Sequence, residues 1–330
     1  MLQLVTAPTS DAIAPSDALT VALAQIAPVW GDRTKTLAKV AAAIEQAAAQ
    51  QARLVCFGEA LVPGYPFWVS LTDGARFNDA KQKALYAHYL EAGVVLERGD
   101  LQPIMTLAAR HKISVYLGIM ERATDRGGHS LYCSLVYIDA QGAIGSVHRK
   151  LQPTYEERLV WAQGDGHGLR THPLEGFCVG GLNCWENWLP LPRAALYGAG
   201  EDLHVAVWPG ALSNTQDITR YLALEGRSYV LSVSGLMRPA DLPAASPSRD
   251  EVVAAAGDYL ANGASAIAGP DGQWIIEPVL EREALLVATL DHGRVRAERQ
   301  NLDVAGHYSR PDVTQLHVDR TRQSTVSFKD

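Results

Sequence analysis

Three side chains that together can perform hydrolysis each follow an apolar segment typical of a buried strand. Glu59 follows "RLVCFG", Lys150 follows "AIGSVHR" and Cys184 follows "CVGGLN". Ligands collect at the carboxyl ends of strands in α/β sheets, so side chains that follow separate strands can converge there. A thiol becomes a nucleophile when a base takes its proton, and a fixed ammonium with backbone N–H groups stabilises the charge that then develops. The set therefore supplies a base, a cation and a nucleophile without a histidine.

Taken one at a time, none of these residues identifies an active site. A Glu after a strand is more often a helix-capping or loop-ordering carboxylate, and a Lys there is usually a solvated charge. A lone Cys is more often a small core residue than a nucleophile. The other cysteines, Cys56, Cys133 and Cys178, lie in apolar runs and are predicted to be core. Only the combination indicates catalysis.

Other hydrolytic and cofactor-binding motifs are absent from the sequence. It contains no G-x-S-x-G, no G-x-x-x-x-G-K-[ST] and no H-E-x-x-H. Neither a C-x-x-C pair nor histidines at zinc spacing occur. We therefore expect no metal and no cofactor.

Alternating strand and helix patterns predict the elements that position these residues. Segment 20–29 is a predicted strand, 34–52 a helix with Leu37, Val40, Ile44 and Ala48 on one face, and 53–59 a second strand. Further strands are predicted at 113–121, 131–138, 143–148, 177–185, 203–209, 229–236 and in a hairpin at 265–279, with helices at 76–92, 101–111 and 191–200. This pattern predicts a single α/β sandwich.

The composition of the chain restricts the partners and the cellular location that we expect. With 29 basic and 36 acidic residues the formal charge is −7, and the basic residues are scattered, so we expect no nucleic-acid partner. No apolar run reaches the roughly 18 residues of a membrane helix, which predicts a soluble protein with no membrane contact. The N-terminus lacks a signal-peptide pattern. The sparse cysteines indicate a reducing, cytoplasmic location.

Three long blocks resemble the signature segments of the nitrilase superfamily, and more narrowly of its true nitrilase branch. They are "FGEALVPGYPFW" (57–68), "HRKLQPTYEERLVW" (148–161) and "GGLNCWENWLPLPRAALYGAGEDLHVAVWP" (180–209). The likeness runs from about residue 20 to about residue 313. It implies an α-β-β-α sandwich whose dimers stack into α-β-β-α-α-β-β-α. The predicted domain spans 20–304, between a flexible leader (1–19) and a tail (305–330) that contacts another subunit.

The resemblance also implies roles for individual residues. Glu59, Lys150 and Cys184 match the catalytic triad of the family. Glu157 matches a second family glutamate, which holds the lysine and the attacking water; the alternative is an exposed partner for Arg158.

Four more positions carry over as substrate-binding residues: Tyr65, Trp161, Trp185 and Pro209. The implied assembly is a homodimer or a higher homo-oligomer.

The implied reaction is hydrolysis of an organic nitrile to the carboxylic acid and ammonia through a cysteine thioimidate and thioester. Trp185-Glu186 after the cysteine favours nitriles over the amides of related branches. Asn187 departs from the His that many bacterial members carry, as plant-type members often do. The alternatives are an amidase, a cyanide-hydrolysing relative, or a catalytically silent oligomeric scaffold.

Overall fold

Fourteen strands run through the part of the chain that this computed structural model describes, which comprises residues 1–8, 13–326 and 329. In chain order they are β1 (Gln3–Thr6), β2 (Ala18–Gln25), β3 (Leu54–Phe57), β4 (Ser114–Ala123), β5 (Ser130–Ile138), β6 (Ile144–Arg149), β7 (His172–Leu174), β8 (Phe177–Asn183), β9 (Leu203–Trp208), β10 (Tyr229–Ser234), β11 (Leu236–Met237), β12 (Ala261–Ala268), β13 (Trp274–Leu280) and β14 (Ala284–Asp291). They form two sheets, with orders β1-β14-β2-β3-β4-β5-β6 and β11-β12-β10-β9-β8-β7, and β13 joins the second by pairing with β12.

Eight helices accompany these strands within the described residues. They are α1 (Arg33–Ala49), α2 (Trp68–Leu71), α3 (Ala80–Ala92), α4 (Gln102–His111), α5 (Pro190–Gly198), α6 (Leu212–Gly226), α7 (Arg249–Ala255) and α8 (His292–Arg299). None of them is both long and apolar enough to cross a membrane.

The apolar core is layered as the predicted sandwich requires. Between the sheets, Leu23 and Leu135 of the first pack with Val205 of the second in one buried cluster. On the outer face of the first sheet, Ile44 of α1 and Ile104 of α4 join a separate cluster. A third cluster places α6 on the outer face of the second sheet. Two sheets flanked by helices confirm the predicted fold class.

The buried face of α1 differs slightly from the predicted one. Val40 and Ile44 are fully buried as expected, whereas Leu37 and Ala48 are only half-buried. The helix turns Ala43 and Ala47 to the sheet instead, because small side chains allow closer packing.

The N-terminal segment is not a flexible leader throughout. Gln3–Thr6 forms β1, which pairs in parallel with β14, and β2 already begins at Ala18. Residues 9–12 lie outside the described part. The pairing satisfies backbone N–H and C=O groups on the edge of β14. Because β14 is far from β1 in the sequence, no local sequence pattern predicts this pairing.

The described part of the C-terminal tail returns to its own subunit. Arg322 donates to Asp165 (2.9 Å), and the backbone N–H of Gln323 donates to the same carboxylate (3.0 Å). Contact with another subunit stays a prediction.

Candidate active site

Glu59 lies just beyond β3, in a turn that is hydrogen-bonded to the second sheet. Its backbone N–H donates to the carbonyl of Trp208 at the end of β9 (3.2 Å). A Cβ on Gly118 of β4 would overlap the carbonyl oxygen of Gly58, so only glycine lets this turn approach the sheet so closely. The side chain of Glu59 is completely buried.

Lys150 follows β6 and places its ammonium between two carboxylates. Nζ donates to Glu59 Oε1 (2.8 Å) and to Glu157 Oε2 (2.7 Å), and the lysine side chain has no exposed surface. Burial opposes the charged form of lysine, but Glu59 and the neighbouring acidic groups raise the Lys150 pKa well above its usual value. The ammonium therefore stays charged.

Glu157 accepts hydrogen bonds on both of its carboxylate oxygens. Oε1 accepts from the Tyr65 hydroxyl (2.6 Å), and Oε2 accepts from Lys150 and from the backbone N–H of Thr154 (2.6 Å). The alternative of an exposed partner for Arg158 is wrong: Glu157 is buried, and Arg158 Nε donates to the Pro153 carbonyl. Because both of its oxygens are held by donors, Glu157 is suited to orient its neighbours rather than to take a proton.

Glu59 differs from Glu157 because one of its oxygens is free. Oε1 accepts from Lys150 and lies 3.4 Å from the Cys133 sulfur, whereas the buried Oε2 has no hydrogen-bond partner in the described structure. Burial raises the Glu59 pKa to about 7, with Glu157 adding to the increase and Lys150 opposing it. A carboxylate with this pKa is a good general base near neutral pH.

Cys184 follows β8 in a left-handed backbone conformation (φ 47°), which a non-glycine residue adopts only when its surroundings hold it. Asn187 Nδ2 donates to the Cys184 carbonyl (2.8 Å) and helps to hold it. The Trp185 backbone N–H is within hydrogen-bond reach of the sulfur. Burial and the charge of Glu59 raise the thiol pKa, so Cys184 rests protonated and needs a base.

The reactive groups converge as the strand-end argument predicts. One ligand atom each from Glu59, Glu157 and Cys184 lies within 4.8 Å of the other two, a spacing that a metal ion can bridge. Lys150 already supplies a positive charge between the two carboxylates. The geometry therefore fits an acid–base and nucleophile set with a built-in cation.

The turn that carries Cys184 is tied to the lysine segment by Glu186. Its carboxylate accepts from the backbone N–H groups of Asn183 (2.9 Å) and Leu151 (2.6 Å) and lies 3.0 Å from His148 Nε2. Burial opposes its ionisation, but His148 and the backbone donors lower the Glu186 pKa below its usual value. Glu186 is thus a buried anion that joins two active-site segments.

Asn187, which departs from the pattern of many bacterial members, lies in the core rather than in a pocket. Its Oδ1 is 2.7 Å from His204 Nε2, and His204 Nδ1 is 2.9 Å from Glu201 Oε1. All three residues are buried. The Asn187 side chain therefore stabilises the turn that carries Cys184 from the buried side of that turn.

The predicted substrate-binding residues divide into two groups. Tyr65 and Pro209 line a small pocket beside Glu59, together with apolar residues such as Phe67, Leu236 and Met237.

Trp161 and Trp185 are not among the residues that line this pocket. Trp161 is buried, with Lys150 Nζ 5.8 Å from its ring centroid. The Trp185 side chain is 52% exposed. The backbone N–H of Trp185 is the group that lies near the Cys184 sulfur.

Cys133 is buried in the core, as the sequence predicts, and it also borders the site, which the sequence does not predict. Its sulfur contacts Glu59, and its carbonyl accepts from the Lys150 N–H (2.7 Å). A usable signal existed in the predicted hairpin around 139–142. The β5–β6 register pairs Ser134 with Arg149, which places Cys133 beside Lys150.

The chain is similar to known carbon-nitrogen hydrolases over most of its length. The carbon-nitrogen hydrolase family model matches residues 20–300. A protein named nitrilase 2, from an unknown prokaryotic organism, is 35% identical over 94% of this chain and 96% of its own length. A bifunctional nitrilase/nitrile hydratase of Oryza sativa subsp. japonica is 34% identical over 96% of this chain and 88% of its own.

A solved structure supports the fold alone. The crystal structure of a carbon-nitrogen hydrolase from Helicobacter pylori superposes with a TM-score of 0.67 at 19% identity, covering 89% of this chain and 96% of the other.

Proposed function

The chain belongs to the carbon-nitrogen hydrolase family, in its nitrilase branch, and we propose that it hydrolyses an organic nitrile to the carboxylic acid and ammonia. The observation that carries the catalytic roles is the buried cluster in which a carboxylate oxygen of Glu59 lies within 4.8 Å of the Cys184 sulfur, while Glu59 Oε2 has no hydrogen-bond partner in the described structure. The names of the relatives support the nitrile as substrate.

The first half of the proposed reaction forms a thioimidate. Glu59 takes the proton of Cys184 as the sulfur attacks the nitrile carbon, and returns it to the nitrile nitrogen. One C–S bond forms and one C–N π bond breaks. Lys150 and the Trp185 N–H stabilise the negative charge that develops on nitrogen.

The second half releases ammonia and then the acid. A water that loses its proton to Glu59 adds to the thioimidate carbon, giving a tetrahedral intermediate. Protonation of its nitrogen expels ammonia and leaves an acyl thioester. A second water hydrolyses the thioester, which restores the thiol and gives the carboxylic acid. Two waters are consumed for each nitrile.

An amide is a side product that the same site supports. If the tetrahedral intermediate expels the thiol instead of ammonia, the product is the amide. The relative from Oryza carries both activities in its name. The proportion depends on small electrostatic differences, because about 1.4 kcal/mol changes a rate ratio tenfold.

Apolar side chains beside Glu59 favour a substrate with an apolar body. Phe67, Leu236 and Met237 line a small cavity there, and we propose that they contact the hydrocarbon part of the nitrile.

The decisive experiment measures ammonia, acid and amide released from a panel of nitriles and amides. Cys184→Ala is expected to abolish release, and Cys178→Ala, a change at a half-buried thiol outside the site, is expected to leave it intact. Release from amides alone would assign the chain to amide hydrolysis. No release from a folded, reduced sample would favour a silent scaffold.

The assembly is proposed to be a homodimer or a larger homo-oligomer. Apolar side chains at the start of α5 and along α6 are exposed in the single subunit, and a second copy of the chain would bury them: Trp188, Leu189, Leu191, Tyr221 and Leu224. Light scattering on the wild type and on Leu191→Arg tests this, with the variant expected to dissociate.

A cytoplasmic location is also proposed. All four cysteines are unpaired, which supports a reducing compartment.

A further inference from the structure

Cys133 contacts both the base and the lysine of the site. Its sulfur lies 3.4 Å from Glu59 Oε1, across 74 residues of sequence, and its carbonyl accepts from the Lys150 N–H at 2.7 Å. The side chain is buried on β5. The backbone bond extends the β5–β6 pairing and does not depend on the side chain, whereas the contact with Glu59 belongs to the thiol.

The contact falls on one particular oxygen of Glu59. Oε1 accepts from Lys150 and from Cys133, while Oε2 accepts from nothing in the described structure. The terminal torsion of a glutamate is broad, so a carboxylate held by a single donor can rotate. Two donors on the same oxygen, one on β5 and one just after β6, fix the carboxylate so that the other oxygen is the one without a donor.

We propose that Cys133 is a positioning residue that holds Glu59 through an S–H···Oε1 hydrogen bond and so leaves Oε2 free to take the Cys184 proton. The inference rests on the proposed role of Glu59 as base.

A thiol suits this role because it is a weak donor. It orients the carboxylate while reducing its basicity less than a hydroxyl or an amide would. Burial and the neighbouring Glu59 charge raise the Cys133 pKa well above its usual value, so the sulfur keeps its proton. The other acceptor within reach, Asn183 Oδ1, is 3.9 Å away, farther than Glu59.

The pKa of Glu59 depends on the contact between its Oε1 and the Cys133 thiol, so the pH dependence of kcat/KM tests that contact. The titratable groups that act on it are Lys150, Glu157, Cys133, Cys184, Tyr65 and Tyr89. In Cys133→Ala only the thiol donor is lost. The ionised carboxylate loses stabilisation, so the Glu59 pKa rises and the acid limb of kcat/KM moves to higher pH, by about half a unit.

The experiment compares pH profiles of the wild type with Cys133→Ala, Cys133→Ser and Cys56→Ala. Serine keeps a donor, and a hydroxyl is a stronger one than a thiol, so the acid limb is expected at the wild-type pH or below it. Cys56 is equally buried but packs in the core between the sheets, so Cys56→Ala is expected to lower stability without moving the limb. An unmoved limb in Cys133→Ala, an equal movement in Cys56→Ala, or a serine variant that moves as far as alanine overturns the proposal.

Infrared difference spectra against Glu59→Gln separate this inference from the proposed function. The protonated carboxyl band of Glu59 follows its titration without turnover. If the wild type hydrolyses no nitrile, the proposed function is wrong. The pH at which the Glu59 carboxyl band disappears, compared between wild type and Cys133→Ala, still tests whether Cys133 donates to Glu59. A band that titrates identically in wild type and Cys133→Ala overturns the contact itself.

Discussion

The Glu186 carboxylate accepts a 2.6 Å hydrogen bond from the backbone N–H of Leu151, the residue that follows Lys150. The same carboxylate accepts from the N–H of Asn183, the residue that precedes Cys184. One buried anion thereby fixes the distance between the segments that carry the cation and the nucleophile. Catalysis depends on such distances, since small misplacements of reacting groups cost large factors in rate.

Glu186→Gln should therefore impair both catalysis and stability. Glutamine has one acceptor oxygen, so its NH₂ group must face a backbone N–H donor or His148. We expect kcat/KM to fall about 100-fold and the free energy of unfolding to fall by roughly 2–4 kcal/mol. Urea unfolding and initial rates measure both.

The control is Glu251→Gln, which breaks an exposed pair with Lys81. Exposed pairs contribute little, so both quantities should stay near the wild type. Similar losses in the two variants would remove the special role of Glu186.

The pH dependence of kcat/KM should show an acid limb near pH 7. Burial raises the Glu59 pKa to about 7, and the base acts only when deprotonated. Lowering the pH through 7 therefore removes the active form, and the rate should fall tenfold for each further pH unit. Rates in buffers from pH 5 to 9 measure this. A constant kcat/KM down to pH 5 would contradict Glu59 as the base.

Lys150→Met should be severely damaging, because it leaves two buried carboxylates facing each other without a cation. We expect at least a 1,000-fold loss of kcat/KM and about 3–5 kcal/mol of lost stability at pH 8. Lys39→Met, at a half-exposed pair with Glu283, is the matched control and should cost less than about 1 kcal/mol. Unchanged thermal unfolding of Lys150→Met would refute the buried ion triad.

Glu157→Gln should shift the products toward the amide. The negative charge of Glu157 favours a protonated nitrogen in the tetrahedral intermediate, and that nitrogen must be protonated to depart as ammonia. Removing the charge should raise the amide-to-acid ratio, up to about tenfold. Chromatography of both products measures the ratio, and Glu156→Gln at the adjacent position should leave it unchanged. An unaltered ratio in Glu157→Gln would exclude this electrostatic control.

Activity should be insensitive to metal chelators. Lys150 supplies the cation between Glu59 and Glu157, so the proposed reaction has no step that needs a metal ion. Prolonged dialysis against EDTA is expected to leave kcat/KM unchanged. Loss of activity, with recovery on adding zinc, would require a different mechanism.

The strand ends that carry Glu59, Lys150 and Cys184 can be predicted from the sequence, because hydrophobic runs and their boundaries are local signals. The resemblance of three blocks then pointed to Glu157. What the sequence left undecided were contacts between residues far apart in the chain and the orientation of side chains.

Three features of the site follow from the folded arrangement of distant segments: Cys133 contacts Glu59, Glu59 Oε2 has no hydrogen-bond partner in the described structure, and Glu186 joins the lysine and cysteine segments. It also paired β1 with β14, near the opposite end of the chain. The burial of Glu59 is a further property that the sequence does not predict. The Glu59 pKa rises because the folded protein removes water from the carboxylate, and no sequence pattern reports how much water is removed.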